Sequence, residues 1–166
     1  MSNTALVLTL CLGRAATLAA LDAPTAFDRL RGLEGSWVGE TEEGSMAHKD
    51  YRLVANGTAL VEEYDVEGRD DRHMLTVYHL DGDRLLLTHY CVAGNQPRMA
   101  ADLSGSATDR LAFELVDATG LEHAGEGHMH SARFRFLPDG TMEQEWVFVE
   151  EGRDAYHARA TFRRQD

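Results

Sequence analysis

From Trp37 to the C-terminus the chain is written in short alternating apolar–polar runs that break at a turn signal about every ten residues. No other feature limits the fold so tightly, because a period of two fits a half-buried strand and cannot be laid on a helix face. Asn56-Gly57 separates KDYRLVA from TALVEEYDV, and Asp81-Gly82-Asp83 separates HMLTVYHL from RLLLTHYCV. Pro138-Asp139-Gly140 divides HMHSARFRFL from TMEQEWVFVE, and Glu151-Gly152-Arg153 divides that run from AYHARATFRR. Each break holds residues that favour tight hairpin turns. With SWVGETEE, RLAFELVD and a return strand marked by Pro97 and Arg98, the pattern predicts roughly nine or ten antiparallel strands. An all-β, up-and-down barrel accounts for such a meander, since closure removes exposed sheet edges.

One segment departs from this period. Asp22 to Gly35 (DAPTAFDRLRGLEG) places Phe27, Leu30 and Leu33 on one helical face, with Thr25 as a cap and Gly35 as the stop. A short helix at this point predicts a barrel closed at one end. Residues 24–166 are expected to form the barrel domain, and residues 1–23 a signal-like or flexible N-terminal segment. Its run ALVLTLCLGRAATLAALDAP fits export to the periplasm somewhat better than a cytoplasmic extension, yet it is too short and too interrupted by Arg14 to span a bilayer.

Composition narrows the functional classes. Among 166 residues, 28 are Asp or Glu and 16 are Lys or Arg, a formal charge of −12. Nucleic acid is excluded as a partner by that balance, because phosphate binding needs a basic patch. Two cysteines, Cys11 and Cys91, make no disulfide framework. No nucleophile elbow, phosphate loop or H-E-x-x-H motif is present, so no residue is assigned a catalytic role. Glu62, Glu63, Glu143 and Glu145 read as surface-facing acids in a chain this acidic.

Alternation sorts the remaining candidates by face. In RLLLTHYCV, Leu85, Leu87, His89 and Cys91 share one face, which predicts that His89 and Cys91 project inward near a rim. In HMHSARFRF the alternation of Phe134 and Phe136 with Arg133 and Arg135 sets the inward side, which puts His128 and His130 there too. Trp146 is expected to be buried by the same reasoning. His128 and His130, joined by His89, Cys91 or Glu126, could hold a transition metal. They could equally serve as polar groups in a ligand cavity, or be satisfied by backbone at a wet rim. Arg98, after the turn Gly94-Asn95-Gln96-Pro97, either grips a ligand carboxylate or pairs with a surface acid.

The stretch FDRLRGLEGSWVGE carries G-x-W-x-G (Gly35, Trp37, Gly39) at the junction of helix and first strand. It resembles the opening of calycin-type barrels: lipocalins, fatty-acid-binding proteins and the nitrobindin-like haem barrels. Together with TVYHLDGDRLLLTHYCVAGNQPRM and GHMHSARFRF…QEWVF, it also resembles a group of bacterial proteins with signal-like N-termini and no assigned activity. These resemblances cover most of residues 26 to 164. They imply a barrel that binds a small, mainly apolar molecule. Trp37, Phe134, Phe136 and Trp146 would form the wall, and His89, Cys91, Arg98, His128 and His130 the polar recognition. The nitrobindin likeness implies haem as a rival occupant, with His157 nearest to the family's ligating histidine and Met74, Met99 and Met129 able to line an apolar slot. The proline that ends the nitrobindin motif is missing here. A barrel filled by its own side chains is the third expectation.

Overall fold

A computed structural model describes residues 21–69 and 73–165. The export-like run and Cys11 lie outside the described residues. The helix α1 (Ala23–Arg31) comes first. Ten strands follow: β1 (Gly35–Thr41), β2 (Met46–Val54), β3 (Ala59–Val66), β4 (Met74–Asp81), β5 (Arg84–Tyr90), β6 (Gln96–Ala101), β7 (Arg110–Thr119), β8 (His128–Phe136), β9 (Met142–Glu150) and β10 (Arg153–Arg164). Every strand pairs with its sequence neighbours, and β10 pairs with β1 to close an antiparallel barrel. The up-and-down barrel expected from the turn spacing is the fold.

The helix begins one turn earlier than its predicted cap. Asp22 is the N-cap, its carboxylate accepting from the Thr25 amide at 2.8 Å, and Pro24 occupies the first turn, where a missing N–H is harmless. The helix stops at Gly32 rather than Gly35. Phe27, Leu30 and Leu33 are buried as predicted, together with Ala23 and Ala26. They plug the end of the barrel where β4 ends and β5 begins, each large side chain contributing roughly 1.5–3 kcal/mol by leaving water.

The G-x-W-x-G motif has a packing role at this plugged end. Trp37 donates its indole N–H to the Leu33 carbonyl at 2.8 Å. The Arg164 guanidinium, 4.7 Å from the Trp37 ring, donates to the carbonyls of Glu34 and Gly32 at 2.5 and 2.8 Å. Gly35 adopts a φ of 119°, and a Cβ there would lie 2.8 Å from Arg164 Nη1. At Gly39 a Cβ would lie 2.5 Å from the Thr161 carbonyl and 2.8 Å from the Phe162 ring. Both glycines thus let β1 and β10 meet across the closing seam.

The opposite end is built differently. β1 pairs only with Ala160–Arg164 of β10, whereas β9 pairs along β10 from Arg153. The first half of β10 therefore overhangs β1, and residues 153–159 are exposed on both faces. A portal lies between this overhang and the turn from Thr41 to Met46.

Candidate ligand-binding cavity

Inward-facing residues form layers set by strand register. Nearest the helix the interior is packed with apolar side chains, among them Leu60, Leu85, Leu111 and Phe136. Above them an aromatic group crosses the lumen: Tyr78, Phe113 and Phe134 meet at centroid distances of 5.6–6.3 Å, and Phe134 carries Trp146 at 6.0 Å. Beyond that layer lies a cavity of about 420 Å³, reaching the surface beneath β10. That volume falls within the range of small-molecule sites. Its inner wall includes His89, Met129, Trp146 and Tyr64, and Met74 and Cys91 lie nearer the rim.

The inner wall also carries a buried ion pair. Lys49 and Glu62, 3% and 2% exposed, meet in a short contact, and the Lys49 ammonium also donates to Gln144 Oε1. The second Glu62 oxygen accepts from the Tyr78 hydroxyl at 2.6 Å. Gln144 in turn donates to the Tyr51 hydroxyl at 3.0 Å. Register explains the assembly: Tyr51 stands opposite Glu62, Lys49 opposite Tyr64, and Phe134 opposite Gln144. Lys49, Glu62 and Gln144 line the cavity, whereas the two tyrosines sit one step nearer the helix. Burial pulls the Lys49 ammonium below its ordinary value while Glu62 opposes the fall. Burial, reinforced by the Glu62 charge, pushes both phenols well up.

His89 is 5% exposed and lines the same cavity. Its Nδ1 shares a 2.9 Å hydrogen bond with Thr76 Oγ1, its opposite residue on β4. Its Nε2 is buried without a hydrogen-bond partner. Trp146 lies against the ring at 4.9 Å. Burial lowers the imidazole pKa to about 4, so the ring is neutral at physiological pH. Such unpartnered buried nitrogens are uncommon in folded proteins.

Not every residue singled out from the sequence reaches this cavity. Cys91 does, but burial pushes its thiol up and neither His89 nitrogen engages it, so no thiolate–imidazole pair forms. Phe134 supports Trp146 from below, and Trp37 belongs to the plugged end. Arg98 projects from the outer face and forks onto Asp117, with Nε–Oδ1 at 3.0 Å. The neighbouring Asn95 is buried and donates to the Gly127 carbonyl at 2.8 Å, tying the β5–β6 turn to the start of β8.

His128 and His130 depart from the predicted alternation. The β8–β9 register shifts between Met129 and Ser131, a bulge that turns Met129 into the cavity in their place. His128 donates from Nδ1 to the Glu126 carbonyl at 2.8 Å, and its Nε2 lies 3.5 Å from His130 Nδ1. Among the described residues no three His, Cys, Asp or Glu side chains gather to hold a metal ion. His157 stands opposite Val147 on the outer side of β10, its Nδ1 2.9 Å from Glu145 Oε1. His157 thus lies at the portal rim of the cavity and is held there by Glu145.

Lys49 and Gln144 are site residues that sequence reasoning passed over, and Glu62, expected on the surface, is 2% exposed and lines the cavity. The signal was present, since Lys49 shares the phase of Ala47, Tyr51 and Leu53, and Glu62 that of Leu60, Tyr64 and Val66. No family model matches the chain, and a search of curated proteins finds no significant relative. Among the described residues no helix is long and apolar enough to cross a membrane.

Proposed function

We propose that this barrel is a binding protein for a small, mainly apolar molecule held in the cavity beneath β10. The observation that carries this reading is a lumen that is plugged by α1 at one end, open at the other, and unfilled between Trp146 and the portal. Binding would proceed by burial of apolar ligand surface, at roughly 25 cal/mol per Å², against Trp146, Met129, Met74 and Tyr64. His89 would orient the ligand, and Cys91 would line its path as a neutral thiol. Arg98, His128 and His130 act in the barrel wall in this reading. A lumen filled by its own side chains fits the half near the helix and not the half near the portal.

The reading is tested by fluorescence titration with N-phenyl-1-naphthylamine, an uncharged probe that brightens in apolar surroundings. Saturable binding at one probe per chain is expected. Ala158, opposite Trp146 and exposed at the portal, lets the site be plugged without disturbing packed core. Ala158→Trp should weaken binding by about tenfold or more, equivalent to about 1.4 kcal/mol, with the melting temperature unchanged. Absence of saturable binding, or binding indifferent to Ala158→Trp, would remove the proposal. A Soret band that develops on haem addition and is lost in His89→Ala would replace it with a haem-binding reading.

A further inference from the structure

We propose that the molecule this cavity takes is electrically neutral and carries one hydrogen-bonding group, an alcohol or ketone on an apolar body, that meets His89. This rests on the binding reading above and adds the charge class of the ligand.

Among the described residues, the two buried charges that line the lumen are committed to each other. Lys49 is neutralised by Glu62, spends a further N–H on Gln144, and faces the Phe162 and Tyr64 rings at 4.9 and 5.1 Å. Both Glu62 oxygens are taken, one by Lys49 and one by Tyr78. A ligand carboxylate would have to displace Glu62 from Lys49, and a ligand ammonium would have to displace Lys49 from Glu62. Either exchange strands a buried charge without its counter-charge, which disfavours both ions. At the portal Arg159 is held by Glu145 at 2.7 Å and by Glu42 at 3.5 Å, and Arg69 is engaged as well. The overall charge of −12 repels anions before they arrive.

What the lumen also offers is a neutral, buried imidazole, that of His89. Among the described residues, the buried side-chain polar atoms without a partner are His89 Nε2 and Asn95 Oδ1, and only His89 lines the cavity. With the ring neutral, Nε2 is donor or acceptor according to the tautomer, and the Thr76 hydroxyl can satisfy Nδ1 in either form. A hydroxyl or carbonyl can therefore be matched, and either would relieve the orphaned nitrogen once the enclosed Nε2 is brought to the cavity surface by a small turn of the His89 ring. The Trp146 ring packed on His89 supplies the apolar surface for the adjoining carbons.

The experiment is displacement of bound N-phenyl-1-naphthylamine at pH 7.5 by 1-decanol, decanoate and decylamine, which share a chain and differ in head charge. Decanol is expected to displace the probe at concentrations about tenfold lower than either ion. His89→Leu should lower the decanol-to-probe affinity ratio about fivefold, the worth of one neutral hydrogen bond. Glu62→Gln, which leaves Lys49 without its counter-charge, should move the preference towards decanoate. Equal or better displacement of probe from the wild type by decanoate or decylamine would overturn the neutral-ligand inference and leave the cavity reading standing. Failure of the probe itself to bind would remove both.

Discussion

His89 gives the barrel a pH dependence whose sign follows from burial. Unfolded, the imidazole takes up a proton near pH 6.5; folded, it does so only near 4, because burial disfavours the cation. Between those values the unfolded chain binds more protons, so this contribution to stability is complete above pH 6.5 and declines as the pH falls towards 4. The loss amounts to roughly 3 kcal/mol at about 1.4 kcal/mol per pH unit. Urea unfolding of the wild type and of His89→Gln at pH 7, 6, 5 and 4.5 measures it. The difference between the two proteins is expected to shrink steadily as the pH is lowered. A constant difference would mean that His89 titrates normally in the fold. The inward position of His89 was legible in RLLLTHYCV because nothing interrupts that strand. Lys49 and Glu62 obey the same alternation, yet in isolation a charge on an apolar face looks like a surface residue. Their partnership is written in the β2–β3 register, with Tyr51 opposite Glu62, rather than in either strand alone.

At the level of elements, helix and seam depend on one arginine. Arg164 on β10 bridges the carbonyls of Gly32 and Glu34, which follow α1, while its guanidinium covers Trp37 on β1. Arg164→Ala should destabilise the protein by about 1–2 kcal/mol, a discounted figure for exposed charge-assisted hydrogen bonds. Hydrogen exchange should quicken in residues 23–33 while β5 to β9 keep their protection. Arg164→Lys should rescue little, because an ammonium cannot reproduce the planar fork that spans two carbonyls. If both variants leave the exchange of α1 unchanged, the helix is held by its apolar face alone. The four hairpin turns named from Gly, Asn and Asp lie between the strands they were expected to join. The bulge at His130 was not legible, because a one-residue slip arises from how β8 meets β9 and leaves no mark in HMHSARFRF. That slip is why the inference from Phe134 and Phe136 holds for Ala132 and fails two residues earlier.

On the scale of the whole molecule, the barrel is asymmetric along its axis. The α1 end is packed solid, and the far end combines a cavity with an overhanging strand that lacks a partner on one side. Local stability follows buried contact and paired backbone, so the portal end should open more readily than the plugged end in the free protein. A ligand that binds only the folded form raises stability by RT ln(1 + [L]/Kd), about 2.7 kcal/mol at a hundredfold excess over Kd. Where that stabilisation appears depends on the route taken. Access beneath β10 predicts slower amide exchange in residues 41–46, 89–92 and 153–160 when N-phenyl-1-naphthylamine is bound, with residues 23–33 unaffected. Access past the helix predicts the reverse, since α1 would have to lift from Leu85 and Phe136 and would then be clamped by the ligand. Hydrogen-exchange mass spectrometry of the full chain with and without probe separates the two routes. Protection confined to the helix would place the portal at the wrong end of the barrel, even if the cavity between them binds as proposed.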